Sequence, residues 1–280
     1  MTAIGVDLGG TQLRAGRLDG AALGPVTTSR VPAAGSAEEI LAALYAAIDP
    51  LIDPSVRAIG VGVPSLVDPD HGWVRAVPNL PAWRDVPLAQ ILAERYRRPI
   101  HVDNDANAFV IGEHRHGAAR GRAHVVGLVL GTGVGAGAIV DGRLHRGRNG
   151  GAGEVGLLPY RGRTFEDWCG GAFFVREHGA TGEALHAAAT SGHARARGTF
   201  AELGAHLADL VLAIVATFDP AMIVLGGSVS RALPLFEGSL RAGLRGYAYP
   251  TSIDRLELAP AALEHPGVVG AAALALEHAR

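Results

Sequence analysis

Twice in this chain, 122 residues apart, an apolar strand runs into a glycine turn, returns as a second strand and closes on Asp-Gly. DLGGTQLRAGRLDG (7–20) lies over VLGTGVGAGAIVDG (129–142), with identities at Leu8/Leu130, Gly9/Gly131, Asp19/Asp141 and Gly20/Gly142. The letters match sparsely; the shared pattern of strand, glycine turn, strand and Asp-Gly hairpin turn carries the constraint. It predicts an α/β chain of two similar halves, each offering a glycine hairpin to a shared cleft. With 280 residues, the chain is long enough for two lobes. A hydrophobic content of 48% against 19% charged residues excludes disorder and supplies a core.

Every one of the 25 basic residues is arginine. Without lysine there is no Walker A phosphate loop and no Schiff-base chemistry. A net charge of −2 argues against nucleic acid as a partner. One cysteine, Cys169, allows neither an internal disulfide nor a cysteine-rich zinc site. No apolar run reaches about 18 residues, so no membrane span is expected. The chain enters Ile4-Gly5-Val6-Asp7 without the basic region of a signal peptide, and a cytoplasmic location follows as an expectation.

Asp7-Leu8-Gly9-Gly10-Thr11 sets an acid ahead of two glycines and a hydroxyl. Glycines let backbone N–H groups approach phosphate oxygens, and Thr11 adds a hydroxyl donor. Asp7 suits Mg²⁺ held through water, since that ion dehydrates reluctantly; the competing reading is an ordinary turn with a solvated acid. Gly131-Thr132-Gly133 formally opens a dinucleotide fingerprint, but Gly137 onward continues as a strand rather than a helix, so a second phosphate hairpin is the better reading. Leu225-Gly226-Gly227-Ser228 follows a buried strand and opens a helix, which suits a nucleotide or a plain β–α turn.

VDNDANA (102–108) gathers two aspartates and two asparagines behind a strand-like lead-in. Turn and helix-cap chemistry is one explanation. The other is that one carboxylate is a catalytic base at a strand's C-terminal end.

Three glycine turns, each after a strand, together with VDNDANA, resemble the ROK family of repressors, uncharacterised frames and sugar kinases, within the actin–hexokinase–chaperone ATPase superfamily. The resemblance runs from the first strand to the last helix. It implies two actin-like, ribonuclease H-like α/β lobes with ATP and Mg²⁺ in an interlobe cleft, and phosphorylation of a hexose, commonly at its 6-hydroxyl. It makes Asp105 the base and Asn104 a sugar ligand, leaving Asp103 as a cap or turn former and Asn107 as structural. GVGVPSLVDPDHGWVRAVPNLPAW (60–83) resembles the sugar-side loop; Asn79 becomes a sugar ligand, and Ser65, where glycine is usual, adds a hydroxyl or narrows the pocket.

GGAGEVGLLPYRGRTFEDWCGG (150–171) departs most from the family. Glu154 and Glu166 match its two sugar-binding glutamates. Leu157 replaces the motif histidine, and Pro159-Tyr-Arg-Gly-Arg163 stands where the family's cysteine-rich zinc loop would be, so no zinc site is expected. Gln12, where lysine is common, is a lesser departure. The nucleotide side falls to Asp7, Gly9, Gly10, Thr11, Gly131, Thr132, Gly133, Gly226 and Gly227. The family commonly forms homodimers. Most of the twelve histidines, including His114 and His116, read as surface or helix-end residues.

The expected lobes are 1–117, completed by the C-terminal helix 268–280, and 118–267. Ser36-x-x-Glu39 and Thr199-x-x-Glu202 both read as capping boxes opening helices. Residues 64–85 read as one long loop, and 166–179 and 182–191 as helices. A sugar kinase is the leading function. A ROK regulator is the second, though its helix-turn-helix would have to precede a strand that starts at residue 3. A sugar-binding protein that has lost catalysis is the third.

Overall fold

The computed structural model describes residues 1–77 and 79–279. Pro78, in the predicted sugar-side loop, and Arg280, at the end of the predicted lobe-completing helix, lie outside them. The chain divides into two compact units: 1–121 with 144–152 and 262–280, and 122–143 with 153–261.

The first unit opens with β1 (Thr2–Leu8), β2 (Gln12–Asp19), β3 (Ala22–Leu23) and β4 (Thr27–Arg30), then α1 (Ala37–Ile48) and β5 (Val56–Val63). β6 (Val74–Val77) and β7 (Leu80–Val86) follow, then α2 (Leu88–Tyr96), β8 (Ile100–Asn104) and α3 (Asp105–His116). The sheet runs β3-β2-β1-β5-β8, with β4 also on β2. β1 and β2 form the antiparallel glycine hairpin, while β5 and β8 lie parallel to β1. Near-continuous apolar runs such as Ile4, Val6, Ile59, Val61 and Val63 are buried, as a sheet covered on both faces requires.

The second unit repeats the plan with β9 (Val125–Leu130), β10 (Val134–Val140) and β11 (Arg143–His145). It continues through β12 (Pro159–Tyr160), β13 (Arg163–Thr164), α4 (Phe165–Cys169), α5 (Ala172–His178), α6 (Gly182–Thr190) and α7 (Ala194–Phe218). The chain then forms β14 (Met222–Gly226), α8 (Leu233–Leu244), α9 (Pro250–Asp254), β15 (Glu257–Pro260) and α10 (Pro266–His278), the last belonging to the first unit. The order β11-β10-β9-β14-β15 places an antiparallel hairpin beside two parallel strands, as in the first sheet. The 122-residue echo is therefore one topology used twice.

Ser36 and Glu39 form the expected capping box. The Thr199 box does not exist. α7 starts at Ala194, and Thr199 lies inside it with its hydroxyl donating back to Arg195 O (3.3 Å). The helix-forming run Ala-Arg-Ala-Arg upstream outweighs a local cap pattern. The 64–85 loop contains the β6–β7 hairpin, and 166–179 breaks into α4 and α5 at Gly170-Gly171. Among the described residues, one helix, α7, is long and apolar enough to cross a membrane by length and composition, although charged residues interrupt its apolar sequence. Its apolar face buries Phe200, Leu203, Leu207, Val211 and Ile214 in the second unit's core.

α10 lies unusually close to the first sheet. A Cβ on Gly60 would stand 1.8 Å from Ala271 O, and one on its β1 neighbour Gly5 would stand 1.9 Å from Val268 O. The glycines let helix and sheet backbones touch. Glu113, fully buried in α3, accepts from the amides of Ala118 (2.8 Å), Ala262 (3.1 Å) and Leu263 (2.9 Å), fastening the chain's return to this unit.

Candidate active-site residues

In the first unit, β8 ends and α3 begins within VDNDANA, at the carboxyl end of parallel strands, where open α/β sheets carry their ligands. Asp105 is the first residue of α3, half-buried, with Oδ1 accepting from the Ala106 amide (2.8 Å). Asn104 is the N-cap: its Oδ1 accepts from Ala106 N (2.8 Å) and Asn107 N (3.2 Å), and its Nδ2 donates to Ser65 O (3.3 Å).

Asp103 is therefore not the cap. It is still part of β8, 5% exposed, and its carboxylate is shared among four groups. Oδ1 accepts from Asn104 N and Asn107 Nδ2 (both 2.8 Å); Oδ2 meets Arg146 Nε (2.7 Å) and His101 Nε2 (3.2 Å). Asn107 is structural, as its burial and this bond require. Burial pushes the Asp103 carboxyl up, but the His101 bond, the Arg146 charge and the Asn107 bond outweigh it and hold the group at about 2 against an ordinary 3.8. A carboxyl depressed in the folded state stabilises it above about pH 4, an advantage lost as pH falls toward about 2. Asp103→Asn should thus cost about 2 kcal/mol at neutral pH. In urea melts the gap between the two proteins should close on acidification through that window; a gap independent of pH would contradict the assignment.

His114 lies in the last turn of α3, a helix-end position. It is buried, and His101 stacks on His278 of α10 with ring centroids 3.9 Å apart. Ser65 is buried too, its hydroxyl donating to Ala76 O (2.7 Å), so it is bound to the loop's own backbone. Asn79 is exposed, and its carboxamide covers Gly10: a Cβ there would meet Nδ2 at 2.9 Å. Asp7, at the end of β1, is half-buried beside Arg14 (Nη1–Oδ2 3.5 Å) and beneath the first turn of α10 at Gly267. Burial raises its carboxyl above the ordinary range, against the opposing charges of Arg14 and His265. Gly9 N is taken by Gln12 O (2.9 Å) within the turn, next to Gly10 and Thr11.

In the second unit, the Gly131-Thr132-Gly133 turn joins β9 to β10, with Gly131 N held by Gly133 O (3.0 Å). A Cβ on Gly131 would meet open space. Gly227 has φ +83°, and a Cβ there would stand 2.3 Å from Leu130 O, so only glycine lets the Gly226-Gly227 turn close onto the hairpin. Glu166 lies against the same hairpin, accepting from Val134 N (3.0 Å). Glu154 is half-buried; burial raises its carboxyl, and the nearby Glu166 charge raises it further. These two acids and the two glycine turns of this unit therefore gather at one end of its sheet.

Where the zinc loop would stand, β12 and β13 form a short hairpin. Tyr160 stacks on Phe165 (centroids 4.3 Å) and donates to Asp209 Oδ2 (2.5 Å), with His206 Nδ1 at 3.0 Å. Leu157 is 58% exposed. Among the described residues no group of three or more His, Cys, Asp or Glu stands together as a metal site.

Arg146, Arg14 and His101 escaped sequence reasoning: Arg146 and Arg14 meet their partners from other segments of the chain, and no motif marks the contact of His101 with Asp103 two residues on along β8. Residues 3–278 match the ROK family model. The glucokinase of Thermotoga maritima is 32% identical, over 98% of this chain and 97% of that protein. A ROK family glucokinase from Streptomyces griseus, solved in complex with glucose and AMPPNP, superimposes with a TM-score of 0.86 at 30% identity, over 99% of this chain and 100% of that one. The xylose repressor of Bacillus spizizenii is 28% identical over 79% of this chain and 61% of its own length. With its family model matched almost end to end and its actin-like ATPase fold shared with solved members, this chain belongs to the ROK family.

Proposed function

We propose that this protein, an ATP-dependent sugar kinase, transfers the γ-phosphoryl group of ATP to the 6-hydroxyl of a hexose, with Asp105 as the base. The observation that carries the reading is Asp105 itself: a carboxylate at the first turn of α3, beside the Asn104 cap, at the carboxyl end of β8. As the sugar oxygen bonds to phosphorus, the bond to ADP breaks and the hydroxyl proton passes to the Asp105 carboxylate. Asn104, Asn79, Glu154 and Glu166 are the sugar-orienting set in this reading, and Ser65 holds the loop that carries Asn79. Gly9, Gly10, Thr11, Gly131, Thr132, Gly133, Gly226 and Gly227 line the nucleotide side, where backbone N–H groups suit phosphate oxygens. Positioning and charge stabilisation supply most of the rate in phosphoryl transfer.

The residues present fit Mg²⁺ as a partner of ATP. Asp7 offers one half-buried carboxylate, and Mg²⁺ keeps most of its waters and is commonly held by one or two carboxylates plus phosphates. When bound, the ion would neutralise phosphate charge. A cytoplasmic homodimer is part of the same proposal.

A coupled assay over glucose, mannose, fructose, allose and the N-acetylhexosamines tests this directly. Mg-ATP should support phosphorylation of at least one sugar, and zinc chelators in excess Mg²⁺ should leave that rate unchanged. Sugar binding by calorimetry with no phosphorylation of any would instead favour a sugar-sensing regulator, a reading that the repressor relatives keep relevant.

A further inference from the structure

Asp105 and Asn104 do their proposed work only if the turn between β8 and α3 is held rigidly. The Asp103 carboxylate is the centre of that turn: one oxygen takes Asn104 N and Asn107 Nδ2, tying residues on both sides of Asp105. Its other oxygen is turned away, to Arg146 Nε and His101 Nε2. Arg146 comes from a separate stretch, 144–152, yet it belongs to the same unit. Its Nη2 also stands 3.3 Å from His101 Nε2, and His101 is backed by His278.

The stretch that supplies Arg146 is itself closed. Ala152 N donates to Arg146 O (3.0 Å), and Gly150 packs so tightly on Val67 that a Cβ would stand 2.2 Å from Val67 O. Two residues beyond Ala152, the chain reaches Glu154. A buried ion pair is weak support for stability, because a well-packed apolar pair of the same volume often does as well. What the pair adds here is direction, since the guanidinium fork fixes one geometry.

We propose that Arg146 is the positioning residue of the sugar site: its pairing with Asp103 sets the turn that presents Asn104 and Asp105. The assignment rests on the sugar-kinase reading above. It concerns orientation, so it should register in sugar affinity and turnover together and leave nucleotide affinity alone.

Three variants separate this from a merely structural role. The double variant Arg146→Met with Asp103→Asn removes the pair without leaving a buried charge unpaired. Arg146→Lys keeps the charge and loses the fork. Asp103→Asn alone keeps the bonds to the turn. Kinetics, sugar calorimetry and hydrogen exchange of the 102–110 peptide are measured on each. In the double variant the sugar KM should rise about tenfold and kcat fall about tenfold, with the KM for ATP within twofold. Exchange over 102–110 should quicken, while the rest of the first unit keeps its protection. Arg146→Lys should recover part of both effects. Unchanged exchange with unchanged kinetics would overturn the proposal, and so would a uniform loss of protection with equal effects on both substrates. If the wild-type protein phosphorylates no sugar, the kinase reading falls, while exchange and sugar calorimetry still decide the role of Arg146.

Discussion

Asp105→Asn should lower kcat by about 10²–10⁴, the usual worth of a general base, with sugar KM changed little. Asparagine keeps the size and the helix-start geometry of Asp105, and its side-chain oxygen can still accept from Ala106 N, as Asp105 Oδ1 does. What it loses is the ability to take the hydroxyl proton as the oxygen–phosphorus bond forms. The measurement is a steady-state profile over both substrates, with circular dichroism to confirm an intact fold. Turnover near that of the wild type would remove Asp105 from the mechanism. A fall in kcat matched by a similar fall in sugar affinity would reassign it as a binding group.

Gly60→Val should destabilise the first unit by about 3 kcal/mol or more, or prevent folding at 37 °C. The added Cβ would lie 1.8 Å from Ala271 O, a backbone atom that cannot swing aside as a side-chain tip could. α10 would have to leave the sheet, uncovering Val268, Val269, Ala272 and the strands beneath. Gly198→Ala is the matched control. Gly198 sits exposed in α7, and a Cβ there would have nothing within 4 Å, so the change should be neutral or stabilising by up to about 1 kcal/mol. Urea melts on the two variants check both expectations. A Gly60→Val protein as stable as the wild type would mean that the close approach of α10 does not hold the unit together.

The local elements were legible in the sequence because their causes are local. Alternation and buried runs mark β1, β5 and β9; the Ser36–Glu39 box opens α1; Asp-Gly closes both hairpins, with Gly20 at φ +61° and Gly142 at φ +73°. The position of Asp105 at a strand's end followed from the same patterns, and the family resemblance supplied its proposed role. Even a local pattern misled where a longer run competed, as Thr199 inside α7 shows.

The tertiary structure decided what each polar group does. Nothing near VDNDANA names Arg146, 43 residues away, as the partner of Asp103; of the two roles expected for Asp103, cap or turn former, Asn104 takes the capping and Asp103 ties the turn. His114 stands at a helix end and is buried as well, and His101 lies under the end of α10, more than 160 residues further along the chain, because burial depends on which elements pack above a residue. The Ser65 hydroxyl bonds to Ala76 of the β6 strand folding back beside it, a partner that no local pattern names. Hydrophobic periodicity records which face of an element is inside. It carries no record of which distant element will cover that face, and that pairing sets burial, charge and hydrogen bonding at every one of these residues.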